Sequence, residues 1–266
     1  MKNKTVIWAT ISLLFLVVFG IYIILENATY LDWGEYKVPE YPVGGSDSVS
    51  IYTINSQTIL SSLEAGSKSI FTQRPLVVED STMIWQYGSL TWKQDDYINI
   101  ATRFHQFVWG ETLEDWLVYN ATFYIYNYPK PGGIEYAHLV FYKRQNNEYI
   151  VHTITIKPLY NQIIAGSTIY HDEDKWRGFD LNKLAIRNVD DALLIADENG
   201  GHELCRDNKS HCSVGIWLDS TLNESNIWGL IPLYTYEWSW NVTYYDESQN
   251  HIFDIKIDPF TGKIIE

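Results

Sequence analysis

Histidine and acidic side chains are the residues of this sequence best suited to acid–base chemistry. His171 is followed directly by the acidic run Asp172–Asp174, and a carboxylate beside an imidazole is a common arrangement for proton transfer. His105 and His152 lie in strand-like stretches. However, an acidic run is typical of a solvated loop, and a single histidine on a strand is usually structural. No G-x-S-x-G, H-E-x-x-H or glycine-rich phosphate loop accompanies these residues, so we predict no catalytic residue.

The two cysteines, Cys205 and Cys212, are separated by six residues. In an oxidising compartment such a pair is typical of a disulfide that clips a turn between strands, and we predict this bond. Together with His202 and His211 the cysteines also carry the ligand types of a zinc site. The adjacent His211 and Cys212 would point to opposite sides of a strand, and the spacing is not that of a zinc knuckle. We therefore predict no metal and no other cofactor.

An uncharged run of twenty residues, Val6 to Leu25, lies near the start of the chain. As a helix it would span about 30 Å, the thickness of the hydrocarbon core of a bilayer. The run is longer than the apolar part of a cleaved signal peptide and is not followed by small residues, so an uncleaved anchor is favoured over a cleaved signal. Because Lys2 and Lys4 precede the run, we predict that residues 1–5 are cytoplasmic and that the remainder is extracytoplasmic, in a cell membrane.

The predicted extracytoplasmic part is strongly acidic. Without Lys2 and Lys4, residues 26–266 contain 17 basic and 33 acidic side chains, a formal charge of −16. Such a surface repels phosphate backbones, so we exclude nucleic acid as a partner. Cationic peptides, divalent metals and a cationic wall polymer stay open, as does a role of the charge in solubility alone.

Five N-x-[ST] sequons follow the apolar run and are candidate glycosylation sites in a host that glycosylates. They are Asn27, Asn120, Asn208, Asn223 and Asn241.

The chain after the anchor divides into a stalk and a first module. Residues 26–50 contain two prolines and a Gly-Gly without periodicity, which predicts a stalk. The module at 51–170 begins with a short helix near 56–65, capped by Asn55 or Ser56. The rest alternates apolar and polar residues and is rich in β-branched and aromatic side chains, which predicts strands. Those runs are TMIWQYGSLTW, YINIATRFHQFVW, DWLVYNATFYIYNY, IEYAHLVFYKR, EYIVHTITIKPL and QIIAGSTIYH.

The least certain of these runs is 97–109. Asp95 could cap a helix there and Gly110 could end it, but we favour a strand because the hairpin-like GETLED follows. Between two later runs, Gln145-Asn146-Asn147 is typical of a tight hairpin turn.

A second module is predicted at 171–266. It opens with a charged connection, followed by a helix that begins at Asn188 or Asp190 and ends at Gly200-Gly201. Strands are predicted at about 202–206, 212–219, 233–245, 250–258 and 262–265. A helix laid across one face of an antiparallel meander is an α+β arrangement, so the predicted fold class is α+β: one transmembrane helix followed by a β-rich ectodomain of antiparallel sheets with a few short helices.

The helix VDDALLIADENGG and the close IDPFTGKIIE resemble a PepSY-like domain, whose last strand ends in D-x-x-T-G-x-I. Asp258, Thr261, Gly262 and Ile264 match that ending. The resemblance covers roughly 180–266. The insert between the two cysteines and the long connection DSTLNESNIWGLIPL depart from the pattern, and residues 47–170 resemble no family.

The matching residues have a local physical explanation. We expect Asp258 to accept hydrogen bonds from turn amides and Gly262 to adopt a positive φ. Ile257 and Ile264 should then fill the buried face of the sheet.

PepSY-like domains occur in propeptides of secreted metallopeptidases and in membrane-anchored envelope proteins, and are thought to bind or restrain peptidases. The resemblance implies a peptidase-regulating role. We predict a membrane-anchored extracytoplasmic binding or regulatory protein, without catalysis, that presents a β-rich aromatic surface or an unpaired sheet edge to a protein or peptide partner. The alternatives are a cell-envelope hydrolase with a histidine–carboxylate site in the first module, and a structural spacer of the envelope.

Overall fold

The computed structural model describes most of the predicted ectodomain. The described residues are 48–67, 69–74, 93–128, 134–145, 148–171, 179–180, 188–207, 212–227 and 231–265. The predicted membrane segment at 6–25, nearly all of the stalk and the strand predicted at 82–92 lie outside these ranges. Within them, no helix is long and apolar enough to cross a membrane.

The described residues form an antiparallel sheet with a few helices, in agreement with the α+β class. The helices are α1 (Ile59–Glu64), α2 (Gln94–Trp109), α3 (Val189–Glu198) and α4 (Gly201–Asp207), with a 3-10 helix at Pro158–Tyr160. The strands are β1 (Ser48–Thr53), β2 (Thr72–Arg74), β3 (Leu117–Tyr128), β4 (Ile134–Gln145), β5 (Glu148–Lys157), β6 (Gln162–His171), β7 (Phe179–Asp180), β8 (Cys212–Ile227), β9 (Ile231–Tyr245) and β10 (His251–Ile257).

Nine of these strands follow one another in the sheet in the order β10-β9-β8-β3-β4-β5-β6-β1-β2, and β7 pairs with β3. Strands β3 to β6 are successive hairpin neighbours. Gln145 pairs with Glu148, so the β4–β5 connection lies at 146–147 as predicted. Because β3 pairs antiparallel with β8 from Ala121 opposite Leu218 onwards, the sheet draws strands from both predicted modules.

The chain divides into two compact units. One contains residues 39–219 and 239–266, and the other contains residues 1–38 and 220–238. In the second unit, the described residues are the C-terminal half of β8 and the N-terminal half of β9. The stretch DSTLNESNIWGLIPL, which we predicted to be a long connection, is therefore mostly strand, since β8 extends to Ile227 and β9 begins at Ile231.

Alternation along the strands gives the sheet of the larger unit two different faces. One face, here called the helix face, carries fully buried apolar side chains that pack under the helices. They include Phe123, Ile125, Leu139, Phe141, Ile154, Ile156, Ile216 and Trp240. The opposite face carries mostly threonine, tyrosine and other polar or aromatic side chains. The core of the unit therefore lies between the helix face and the helices.

The region 97–109, predicted as a strand, is instead part of helix α2. Its buried residues are Tyr97, Ile100, Ala101, Phe104 and His105, which is the spacing of one face of a helix. Gly110 ends the helix with a φ of 76°, and its N–H donates to the Gln106 carbonyl at 3.0 Å. The prediction was wrong because the hairpin-like GETLED that follows was given more weight than this spacing.

A second correction concerns residues 202–206. They were predicted as a strand and belong to helix α4, which follows α3 directly after Gly200 at a φ of 111°. Cys205 therefore lies on a helix, and the pair Cys205 and Cys212 connects that helix to the start of β8 rather than two strands. By contrast, Asn188 caps α3 as predicted, since its Oδ1 accepts a hydrogen bond from the Asp191 N–H at 3.1 Å.

The final turn has a well-defined geometry. Asp258 Oδ1 accepts hydrogen bonds from the N–H groups of Phe260 at 2.7 Å and Thr261 at 3.2 Å, and Gly262 has a φ of 69°. Ile257 is fully buried. Ile264, which we expected to fill the buried face as well, pairs with Ile257 but is 46% exposed. The reason is that the last residues turn back along the outer edge of β10 instead of lying over the core.

Candidate functional site

Two of the three histidines considered as candidates for acid–base chemistry meet in the structure. His105 on α2 and His152 on β5 are both buried. His171 is the last residue of β6, four residues beyond Ser167, which pairs with His152. It therefore occupies a different position in the sheet, and the acidic run that follows it lies outside the described residues.

The two buried histidines form a hydrogen-bonded chain. His105 Nδ1 lies 2.9 Å from the Glu111 carbonyl oxygen. A carbonyl only accepts, so Nδ1 carries the proton and donates it. His105 Nε2 lies 2.9 Å from His152 Nδ1. In a neutral ring with a protonated Nδ1, Nε2 has a free lone pair, so His152 Nδ1–H donates to it.

Two indole rings enclose His152. The Trp109 ring stacks on it with centroids 3.9 Å apart and planes within 11°. The Trp116 ring stacks at 4.3 Å with an interplanar angle of 23°. Trp109 is the last residue of α2, and Trp116 lies in the connection that follows it. The cluster therefore fixes the C-terminal half of α2 to β5. Neither face of the His152 ring is left open to a substrate.

Burial keeps both rings uncharged at neutral pH. It lowers the pKa of His105, and it lowers the pKa of His152 to about 3 with a further contribution from the charge of His105. At the rim of the cluster, Lys143 Nζ forms an ion pair with Glu111 Oε2 at 3.1 Å and lies 5.8 Å from the centre of the Trp116 ring. The hydrogen bond from Lys143 lowers the pKa of Glu111.

A second buried network attaches α3 and α4 to the sheet. The hydroxyls of Tyr128 and Tyr244 both donate to the Asp197 carboxylate, Tyr244 at 2.7 Å. Burial, followed by these bonds to a carboxylate, raises the pKa of both tyrosines. Cys205 and Cys212 lie at disulfide-bonding distance, with Cα atoms 5.5 Å apart. Neither sulfur is therefore a free thiol that could bind a metal.

The opposite face of the sheet carries an aromatic surface, which we call the tyrosine patch: Tyr124, Tyr136 and Tyr245, with Trp217 beside them. The strand register places these residues together. Tyr124 on β3 pairs with Tyr136 on β4, and the preceding Thr122 pairs with Trp217 on β8. Residues paired across antiparallel strands lie on the same face.

Ring contacts hold the tyrosine patch in one arrangement. Tyr124 and Tyr136 stack with centroids 5.6 Å apart and planes within 7°, and Tyr124 lies 6.3 Å from Tyr245. The Tyr124 hydroxyl donates to Gln249 Oε1 at 3.0 Å. All three tyrosines are half-buried. Burial raises the pKa of Tyr136 and Tyr245, so their hydroxyls remain protonated donors.

Gly215 leaves room for the ring of the neighbouring Trp217. A Cβ at Gly215 would lie 3.3 Å from the Trp217 ring and 3.4 Å from the Tyr245 ring. Both rings therefore lean over the bare backbone of Gly215, which brings β8 and β9 aromatics next to Tyr124.

Further aromatic side chains cover the same face towards the other end of β3 to β6. Tyr142 and Tyr149 are buried there with Val140 and Val151, and partly buried residues pack around them. These are Leu117, Tyr119 and Tyr170. This second cluster is an apolar core of its own, whereas the tyrosine patch remains partly open to solvent.

Two of the predicted glycosylation sites are buried on this face. Asn120 is 8% exposed, and its amide nitrogen donates to the Leu218 carbonyl at 3.2 Å. Asn241 is also 8% exposed and donates to Ser239 Oγ at 3.3 Å. A glycan on either nitrogen would have to replace that bond and displace its neighbours. Of the other candidates, Asn223 lies on β8, and Asn27 and Asn208 lie outside the described residues.

One edge of the sheet is formed by β10. The Ile265 N–H donates to the Lys256 carbonyl at 2.8 Å, and the Asp258 N–H donates to the Lys263 carbonyl at 2.8 Å. Because backbone groups alternate along a strand, the N–H and C=O of Asp254 point to the same side as those of Lys256. The final residues of the chain thus pair with the end of β10, at Lys256 and Ile257. The backbone groups of Asp254 point to the same outer edge, at a position that the final residues do not reach.

Sequence reasoning located the strands of the aromatic face but did not single out the residues of the tyrosine patch. The signal was present in TFYIY, where Thr122, Tyr124 and Tyr126 alternate with the apolar Phe123 and Ile125. The positions of Tyr136 and Tyr245 beside Tyr124 depend on how the strands pair, which the sequence pattern does not give. No sequence pattern indicated that Trp109 and Trp116 would stack on His152.

Together these features define an α+β protein with a helix-covered face and an aromatic face. No family model, no curated protein and no solved structure matches this chain.

Proposed function

We propose that this protein is a non-enzymatic binding protein of the cell envelope, anchored through residues 6–25, that holds a protein partner against its tyrosine patch. The observation that carries the proposal is the group of contacting rings on the aromatic face of the sheet, where Tyr124 stacks on Tyr136 and also contacts Tyr245. Tyrosine supplies a large contact area and a hydrogen-bonding group at a low cost in conformational entropy, and it is enriched among the residues that dominate binding interfaces.

The partner is expected to present basic side chains, because the chain has a formal charge of −14 and acidic surfaces attract cationic partners. A secreted peptidase is the partner class suggested by the resemblance of residues 180–266 to PepSY-like domains. The edge of β10 at Asp254 is a further place where an extended segment of that partner can add to the sheet.

The enclosed histidine pair supports a binding role over the hydrolase alternative. His152 has an indole on each ring face and its Nδ1 bound to His105. A general base needs its lone pair within hydrogen-bond reach of a substrate proton. The lone pair of His152 is on Nε2, in a ring that is 5% exposed and whose pKa is lowered to about 3 by burial, so it is a poorly accessible and weak base at neutral pH. The geometry of this pair is better suited to holding α2 on the sheet.

The test is affinity capture with the full-length protein, followed by identification and purification of the captured partner and measurement of its dissociation constant. Tyr136→Ala and Tyr124→Ala are each expected to weaken binding by at least about tenfold, as for central interface residues. Tyr136→Phe separates the contribution of the hydroxyl from that of the ring. Phe260→Ala, an aromatic residue 44% exposed in the final turn, is the matched control and should bind like the wild type.

Unchanged affinity in both alanine variants would show that the tyrosine patch is not the binding surface. Hydrolysis of peptide, ester or glycoside substrates by the purified protein, with loss of that activity in His171→Ala, would contradict the non-enzymatic proposal as a whole.

A further inference from the structure

A cleft of about 440 Å³ lies beside helix α2, away from the tyrosine patch. Its walls come from the end of α1 at Gly66 and Ser67, from the segment that leads into β2, and from one side of α2. The residues that give it chemical character are Phe71, Phe107, Arg103 and Gln106.

The apolar wall of the cleft is pre-formed. Phe107 is 48% exposed, yet it is held in place by other rings. Its centroid lies 5.5 Å from Phe71 and 5.9 Å from Tyr52. Phe71 and Tyr52 are themselves buried and each contact Phe104 at 5.0 Å. The exposed side of Phe107 therefore faces the cleft from a fixed position.

The polar wall is a cation with an amide next to it. Arg103, Gln106 and Phe107 follow each other at helical spacings of three and four residues, which places them on one side of α2. In the part of the chain that the structure describes, Arg103 has no hydrogen-bond or ion-pair partner. Its guanidinium is exposed to solvent at the mouth of the cleft and is therefore available to an anionic ligand.

We propose that this cleft binds the C-terminal carboxylate of a peptide whose last side chain is apolar. The planar guanidinium of Arg103 matches a carboxylate with two parallel hydrogen bonds. Phe71 and Phe107 contact the last side chain, and the Gln106 amide can pair with the last peptide group. The site is independent of the tyrosine patch, which lies on the opposite face of the sheet.

The shape of the cleft favours a chain end over a free fatty acid. Its volume is at the small end of ligand sites, and its lining residues Gly66, Ser67, Arg103 and Gln106 are exposed to solvent. A peptide needs to bury only its last residue there, while the remainder leaves into water. A long alkyl chain would have most of its length left uncovered.

The test is fluorescence anisotropy of the full-length protein with a labelled pentapeptide, Gly-Ser-Gly-Ser-Phe, that carries the dye at its N-terminus. The peptide with a free carboxylate is expected to bind at least about tenfold more tightly than the same peptide with a C-terminal amide, since a charge-assisted pair is lost. Arg103→Gln should abolish that preference for the free carboxylate. Phe107→Ala should weaken both peptides equally. Arg144→Gln, which removes an exposed arginine from β4, is the matched control and should bind like the wild type.

Equal affinity for the free acid and the amide, absence of binding, or an unchanged preference in Arg103→Gln would each overturn the proposal. Dodecanoate tests the alternative that the cleft binds a fatty acid. If it displaces the peptide at concentrations well below the peptide's own dissociation constant, and if this displacement is lost in Arg103→Gln, the cleft is a fatty-acid site and the peptide assignment is wrong. Thermal unfolding of each variant separates loss of binding from loss of fold. Arg103→Gln is expected to match the wild type because Arg103 is exposed, whereas Phe107→Ala loses ring contacts with Phe71 and Tyr52 and should be less stable but still folded at the assay temperature.

Discussion

His105 Nε2 accepts a hydrogen bond from His152 Nδ1 across 2.9 Å, and this bond joins helix α2 to strand β5 inside the core. The bond requires His105 to be neutral, since a proton on His105 Nε2 would place two donors against each other. The Glu111 carboxylate and the Lys143 ammonium, which face the pair from its rim, do not reverse this preference, because burial is the largest influence on both pKa values.

The histidine pair predicts an acid-sensitive fold. The folded state holds the pKa of both residues below their ordinary value of 6.5, that of His152 at about 3. Stability is therefore fully present above about pH 6.5 and is lost as the pH falls towards 3. Denaturant unfolding at pH 7.5 and 4.5 should show a lower midpoint in acid.

The variant His152→Asn tests the cause of this pH dependence. Its amide nitrogen can still donate to His105 but does not titrate, so the difference between pH 7.5 and 4.5 should shrink even though the variant is less stable at both. His202→Asn, on the exposed side of α4, controls for the loss of a histidine. A pH difference as large in His152→Asn as in the wild type would show that other groups cause it.

Asp190 should have the opposite effect. It accepts the Gln94 N–H at the start of α2, while the Gln94 side chain accepts the Val189 N–H at the start of α3. Burial raises the pKa of Asp190 from 3.8 to about 6. The folded state therefore favours the protonated acid, and the associated stability is present in acid and lost as the pH rises through about 6.

Asp190→Asn is accordingly expected to raise the melting temperature at pH 7.5, with a difference that disappears towards pH 4.5. Asn retains an oxygen that accepts from Gln94. Asp191→Asn removes one acidic charge from the same turn and is the matched control. A lower melting temperature for Asp190→Asn at pH 7.5 would mean that the ionised carboxylate stabilises the two helix ends.

Gly201→Ala should destabilise the contact between α4 and the sheet. A Cβ at Gly201 would lie 2.5 Å from Tyr244 Cζ, and the Tyr244 ring is held by its hydroxyl on Asp197. Overpacking of this kind costs roughly 1–3 kcal/mol. In the double variant with Tyr244→Leu, Gly201→Ala should cost less than it does alone, measured by denaturant unfolding. Additive effects would exclude the clash.

Removal of the Cys205 and Cys212 pair should lower stability by about 2–3 kcal/mol, because a closed loop of this length restricts the unfolded chain. The measurement is denaturant unfolding of the double serine variant. Reducing agent should lower the stability of the wild type by a similar amount and leave the variant unchanged. Equal effects of the reductant on both proteins would indicate that the sulfurs are not joined.

Tyr97 and Tyr128 form a matched pair for a hydroxyl deletion. The Tyr97 hydroxyl is buried and has no hydrogen-bond partner among the described residues, whereas the Tyr128 hydroxyl donates to Asp197. Tyr97→Phe should be neutral or stabilising, and Tyr128→Phe should be destabilising, by about 1 kcal/mol in each direction. Equal losses in the two variants, measured by thermal unfolding, would show that Tyr97 has a partner.

Much of the sheet followed from local pattern. Strands β3 to β6 alternate apolar and polar residues over ten residues or more, and this period is enough to predict both their extent and the hairpin at 146–147. The cap at Asn188 was also predictable, because it depends on residues close in sequence. The helix at 94–109 was not predicted, although its apolar residues have helical spacing, since the hairpin-like GETLED after it favoured a strand.

The candidate sites depended on distant contacts. Nothing near Tyr124 in the sequence indicates that Tyr245 will lie beside it, and nothing near His105 indicates His152. Arg103 and Phe71 are likewise separated by a long stretch of chain and line one cleft only because Phe71 packs against Phe104 and Phe107 of α2.

The sequence by itself determined the strands β3 to β6, where several turns form and which cysteines can pair, because these depend on alternation, on backbone conformation at glycine and on short separations along the chain. The tertiary structure alone decided that His105 and His152 are joined by a hydrogen bond and that three tyrosines from three strands form one patch. Those outcomes are set by the packing of α2 on the sheet and by the register of strands far apart in sequence, and no local pattern encodes either.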